Sequence, residues 1–245
     1  MVQFIDGLYV KNYLNTYLVA NNMKPATEIG FTRSYGHTHS TLAIRSIDEI
    51  QAEYAPIKAR RIAEHTALLD KFSLVYSKDN AIRVIPCDYT ACKDKHIVDS
   101  TKFFVAKEKF ALDRLMNAKS DREQGIAFGF PIEDIEAFEN WNSSRHVNAA
   151  EMYRNIEDAT DRNISIPSWL AYLSHVPSKI DIVSENISES SKKQGVLFRD
   201  FVRKNNPSLA VLVEKDFSDT LPSRTVTNPD GSIVLVYGGK YFMTD

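Results

Sequence analysis

Apolar residues recur at helical spacing from Leu8 to Asn22, where Tyr13, Leu14, Tyr17 and Leu18 share a face and Pro25 closes the run. Beyond it, Glu28 to Thr32 and Thr41 to Ser46 read as extended, joined by the polar stretch Arg33-Ser34-Tyr35-Gly36-His37-Thr38-His39. From Ile47 the period becomes helical, with a break or kink expected at Pro56 and a second stretch to Phe72 that places Ile62, His65, Leu69 and Phe72 on one face. Ser73 to Ser77 and Ala81 to Pro86, separated by Lys78-Asp79-Asn80, read as a hairpin whose outgoing strand leads to Cys87.

The middle of the chain reads as mostly helical. Phe104 to Ala118, Glu123 to Phe128 and a helix starting at Pro131 come first, then Asn148 to Asp158, Pro167 to Ser174, Ser188 to Lys204 and Pro207 to Asp216. Arg224 to Thr227, Ser232 to Tyr237 and Lys240 to Thr244 form a C-terminal β-meander with Asp230-Gly231 at its first tip. Strands at both ends with helices between predict an α+β fold, a mixed or mainly antiparallel sheet under a helical layer. The expected organisation is one domain over residues 1–245, with 120–131 or Ser178 to Ser190 as the least committed joints.

Composition narrows the function classes. A 43% hydrophobic and 25% charged chain has the material for a substantial core, which sets it apart from disordered or coiled-coil classes. The net charge of -2 provides no field to gather phosphate backbones or anionic lipid, so no nucleic-acid partner is expected. Lys58-Ala59-Arg60-Arg61 lies beside Glu53 and Glu64 and reads as a solvated helix face. Two cysteines are too few for a disulfide framework, the start of the chain lacks the basic-then-apolar order of a signal peptide, and apolar runs such as Leu209 to Val213 are too short to span a bilayer. A cytoplasmic protein without membrane insertion is the expectation.

Nucleotide-binding glycine loops, the nucleophile elbow of hydrolases and the His-Glu-x-x-His helix of zinc proteases have no counterpart. Gly125-Ile126-Ala127-Phe128-Gly129 has the wrong spacing for a phosphate loop and reads as a turn or close backbone packing. If Phe31 to His39 is extended, Arg33, Tyr35, His37 and His39 project to one side: a cation to hold an anionic group, a phenol to assist by hydrogen bonding, and two imidazoles to move a proton or bind a divalent metal. A second candidate is the thiol set Cys87, Cys92 and His96, with Lys93 and Lys95 placed to favour a Cys92 thiolate. Glu133, Asp134, Glu136 and Glu139 alternate with Ile132, Ile135 and Phe138 and read as the solvated side of an amphipathic helix. His65 reads as a hydrogen-bonded core histidine, while His146 and His175 read as helix-end caps.

The run from Gly125 through Gly129-Phe130-Pro131-Ile132-Glu133-Asp134 to Phe138 resembles the Gly-Tyr-Pro-x-Cys-Cys segment of a family of uncharacterised prokaryotic proteins. Trp169 to Ser178 is similar to that family's second motif, where Pro-Cys-Ser and a further cysteine are expected. Glu133, Asp134 and Ser178 stand where its cysteines would be, so no cysteine-dependent metal or redox role carries over. The resemblance implies a scaffold in which the Pro131 helix approaches the His175 to Ser178 turn.

These readings lead to an enzyme acting on a small polar or anionic metabolite, with Arg33 orienting substrate, Tyr35, His37 and His39 as catalytic residues, and a divalent metal on His37 and His39 as one option. The alternative is a non-catalytic ligand-binding or protein-interaction module. Oligomeric state has no sequence signal.

Overall fold

Helix α1 (Val10–Ala20) is the pivot of the architecture, because its apolar positions serve two layers. Val10, Leu14 and Leu18 face a helical layer, whereas Val19 faces a sheet, and Tyr13 packs against both. The computed structural model describes residues 4–5, 8–35, 47–86, 95–140, 145–220, 222–227, 233–237 and 243–244. A two-residue pair, β1 (Phe4–Ile5) with β2 (Leu8–Tyr9), precedes α1.

The main sheet is antiparallel, with β5 (Lys95–Ala106) between β3 (Ala26–Tyr35) and β4 (Val75–Pro86). Ala26 and Val75 both pair with Ala106, while Tyr35 pairs with Ile97 and Pro86 with Lys95. Helix α2 (Ile47–Lys71) lays Leu68, Leu69 and His65 against Phe31 and Phe103 of this sheet. Pro56 lies inside α2 without ending it. Pro56 and Ala52, whose carbonyl it cannot bond, are both exposed residues.

Two expectations for the sheet are overturned. No turn falls at Lys78-Asp79-Asn80; those residues continue β4 opposite Phe103, Lys102 and Thr101, with the Thr101 hydroxyl donating to Asn80 Oδ1 at 2.9 Å. They are exposed positions on an edge strand, where polar side chains mimic a turn signal. Phe104 begins no helix either. Phe103 and Val105 face the α1–α2 core, while Phe104 and Ala106 face a second cluster, and a strand buried on both sides loses its alternation.

That second cluster is closed by α3 (Lys109–Met116) and α4 (Asp121–Phe128), followed by α5 (Ile132–Asn140) and α6 (Arg145–Asp161). Next come β6 (Ile166–Pro167), a 3-10 helix (Ser168–Tyr172), the pair β7 (Ile180–Asp181) and β8 (Asn186–Ile187), then α7 (Glu189–Asn205) and α8 (Pro207–Thr220). Tyr172, Phe198, Val202, Leu209 and Val213 bury the other face of α1. Gly195 lets α7 ride directly on Trp169, since a Cβ there would lie 2.5 Å from the indole.

At the C-terminus β9 (Pro222–Thr227) and β10 (Ile233–Tyr237) pair antiparallel as expected, but β11 (Met243–Thr244) departs from the meander and pairs parallel with β6. The result is an α+β fold. No described helix is long and apolar enough to cross a membrane.

Candidate functional site at Asp134 and His175

Three local stops in the chain bring three segments together. Ser120 caps the start of α4 through the Glu123 amide, and Gly129 ends that helix in the left-handed region at φ 76, with Pro25 packed where a Cβ would project. The chain then turns through Phe130 and Pro131 into α5, whose first turn carries Asp134 inward beside buried Ile135. Beyond the 3-10 helix, residues 174–178 form a turn against α5, and Ser188 caps α7 so that Ser191 lies on its first turn.

Asp134 is the hub. Its Oδ1 accepts the Ser178 amide at 2.7 Å, and its Oδ2 accepts the Ser191 hydroxyl and the His175 Nε2–H, the latter at 3.1 Å. His175 Nε2 also lies 3.2 Å from Ser191 Oγ, so its proton is shared between the two oxygens. Burial pushes the Asp134 carboxyl up, yet the hydrogen bonds from His175, Ser191 and Ser178 outweigh it and hold the group well below the usual carboxylate range. The first turn of α7 adds an N-terminal helix dipole of the right sign.

An ionised Asp134 fixes the histidine tautomer, because the nitrogen facing a carboxylate must carry the proton. His175 Nδ1 is therefore the open nitrogen. It is buried with no hydrogen-bond partner, and the His175 side chain as a whole is only 7% exposed, its ring centre 4.8 Å from that of Phe130 and tilted 36° to it. The Ser178 hydroxyl is likewise buried without a partner at hydrogen-bond geometry, although it is close enough to help hold the Asp134 charge.

His175 lines a cavity of about 270 Å³ with Phe128, Phe130, Phe138, Val176 and Ser178, and it also contributes to a neighbouring cavity of about 260 Å³ beside Lys11 and Asp216. The larger one is mainly apolar, with one group of polar residues at Ser174, His175, Ser178 and Asp134 and a second at Asp121 and Gln124. That division suits a ligand with an apolar body and one polar group. The arrangement does not make an activated serine. Ser191 is fully buried, gives its proton to Asp134, and meets His175 at the nitrogen that already faces the carboxylate.

Comparison with known proteins finds no matching family, no similar curated protein and no similar solved structure. The site therefore has to be read from its own chemistry.

The sequence-predicted residues lie elsewhere. Arg33 is exposed, its guanidinium 4.6 Å from the Tyr54 ring centre, and it pairs across the sheet with Asp99. Tyr35 and His96 are placed only as backbone, at the end of β3 and the start of β5, while His37, His39, Cys87 and Cys92 lie outside the described residues. The register does put Tyr35 and Pro86, on the two opposite edge strands, at the same end of the sheet. Among the described residues no group of three or more His, Cys, Asp or Glu side chains is set to hold a metal.

Other readings are corrected. Asp134 is not on the solvated side of its helix, and His175 caps no helix. His65 is the core histidine expected, with Nδ1 2.7 Å from the Arg61 carbonyl. Lys58 and Arg61 are not simply solvated: Lys58 pairs with buried Asp99 at 2.6 Å, and the Arg61 guanidinium lies 5.7 Å from the Phe31 ring centre.

Proposed function

We infer that this protein binds a small metabolite in the cavity beside α5 and that His175, oriented by Asp134, exchanges a proton with it through Nδ1. One observation carries the reading: a buried imidazole, held by an ionised carboxylate at one nitrogen and unpartnered at the other, forms part of the wall of a cavity. A carboxylate behind an imidazole fixes its tautomer and its orientation, which a general base requires. Phe128, Phe130, Phe138 and Val176 take the apolar body of the ligand, and the Ser178 hydroxyl is placed to hold its polar group. Of the two function classes open from sequence, this retains the small-molecule enzyme and moves its site away from Arg33 to His39.

The rival is binding without catalysis, favoured by the mainly apolar lining. A metabolite library incubated with wild type and with His175→Gln separates the two, read by ligand-observed NMR for binding and mass spectrometry for turnover. The enzyme reading expects a compound bound by both proteins and consumed only by wild type. A compound bound by both and consumed by neither establishes the rival. Binding that survives Ala137→Phe, which fills the cavity, removes the site altogether.

A further inference from the structure

Also near the Phe130 ring, with its nitrogen 5.8 Å from the ring centre, lies a second unusual group, the amine of Lys24. Its residue is 4% exposed, and among the described residues it has no carboxylate partner. Nζ donates to Ser174 Oγ at 2.7 Å and to Asn15 Oδ1 at 3.2 Å. Both acceptors line, together with Lys24, Thr27, Glu28, Phe128 and Phe130, a cavity of about 260 Å³.

Counting hydrogens decides what the pocket fits. An ammonium has three N–H bonds to satisfy, whereas a neutral amine has two and a lone pair. The described acceptors number two, so the site satisfies an amine and leaves its lone pair unused. The one feature that favours charge, the Phe130 ring centre 5.8 Å from Nζ, is at the far limit of a cation–π contact. Burial accordingly pulls the Lys24 ammonium down to about 7, with Lys11 on α1 adding repulsion. The other charged or titratable groups around it do not offset this: Glu28 on β3 is engaged by Lys102 at 2.7 Å, and His175 Nε2 is engaged by Asp134 at 3.1 Å.

We propose that Lys24 is a nucleophilic amine that forms an imine with a small aldehyde or ketone admitted through this cavity. The Nζ lone pair attacks the carbonyl carbon as the C=O π electrons move to oxygen. A proton passes from nitrogen to that oxygen, with the Ser174 hydroxyl within relay distance. The carbinolamine then loses water, taking the hydroxyl and the second nitrogen-bound proton, and leaves the C=N bond. The aromatic walls at Phe128 and Phe130 select a carbonyl compound with an apolar or aromatic substituent.

The test is reductive trapping of wild-type protein with benzaldehyde and cyanoborohydride at about neutral pH, followed by peptide mass mapping over time. An inert buried lysine is the slowest in a chain and a reactive one the fastest, so the two outcomes are opposite. Lys24 should be modified at least about tenfold faster than Lys193, whose side chain is 76% exposed. Labelling of Lys24 at or below the rate of Lys193 overturns the proposal. The His175→Gln variant should label at the wild-type rate, which keeps this result separate from the fate of the His175 reading.

Discussion

Replacing Asp134 by Asn preserves the shape of the side chain and removes its charge, which isolates the role of the carboxylate. In the native protein two oxygens accept three donors, the Ser178 amide, the Ser191 hydroxyl and the His175 Nε2–H. An amide keeps one oxygen and turns the other position into a donor, so in either orientation at least one native donor meets a donor. An unsatisfied buried donor costs about 1–3 kcal/mol, and bonds to charged acceptors contribute about 1.5–3 kcal/mol where neutral ones contribute about 1. A loss of roughly 3–4 kcal/mol follows, or about 10 °C in melting temperature for a chain of this length.

The pH profile carries the stronger constraint. Asp134 is depressed below its ordinary value of 3.8, so below that pH the unfolded chain takes up a proton that the folded chain refuses. Its contribution is therefore complete above 3.8 and is lost as the pH falls towards the lower folded value. Urea unfolding of wild type and Asp134→Asn, followed by circular dichroism from about pH 5 to about pH 2, should show a gap that is widest at the top of the range and closes with acid. The exposed pair partner Asp158 is the control: Asp158→Asn should stay within about 0.5 kcal/mol of wild type. A gap below about 1 kcal/mol at pH 5, or one that does not narrow with acid, refutes the hub role.

Three further outcomes are expected. Burial lowers His65 below its ordinary 6.5 against the opposing bond to the Arg61 carbonyl, so its contribution is complete above 6.5 and lost as pH falls; in acid titrations His65→Leu should flatten that part of the stability profile. Lys58→Met strands the buried Asp99 carboxylate and should cost about 3 kcal/mol in chemical unfolding, whereas Arg60→Met, at an exposed i,i+4 pair, should cost under about 0.5 kcal/mol. Gly129→Ala forces a side chain into φ 76 and to 2.7 Å from Pro25, and a loss of about 2 kcal/mol or more in thermal unfolding is expected.

Helices were legible from spacing and end signals: α1, α4, α7 and α8 all lie within a few residues of their expected bounds, although α1 is buried on two faces. Errors arose in strands, where burial on both sides or exposure at an edge removes the alternation. Phe104 to Ala106, in a strand buried on both sides, was expected to open a helix; Lys78 to Asn80 is exposed on an edge and looked like a turn.

The site was hidden for a related reason. Asp134 sits among Glu133, Glu136 and Glu139, and nothing in a row of acids says which one turns inward. Here Ile132 is 49% exposed while Asp134 is buried, the reverse of what hydropathy assigns. The Ser178 amide, from a turn 44 residues on, is what holds that carboxylate inward, and no local pattern shows such a partner. Lys24, next to Pro25 in a turn, gave no signal, since its character depends on Ser174 and on burial by distant segments.

The proposed proton transfer requires His175 to be open at Nδ1, and long-range proton–nitrogen correlation spectra of the imidazole at about pH 8 read this directly. The geometry predicts a proton on Nε2 and a bare Nδ1, with the pattern disturbed in Asp134→Asn. A His175 ring protonated at Nδ1 would leave Asp134 facing a lone pair, and the orienting carboxylate, the open base and the proposed proton transfer would all fall together.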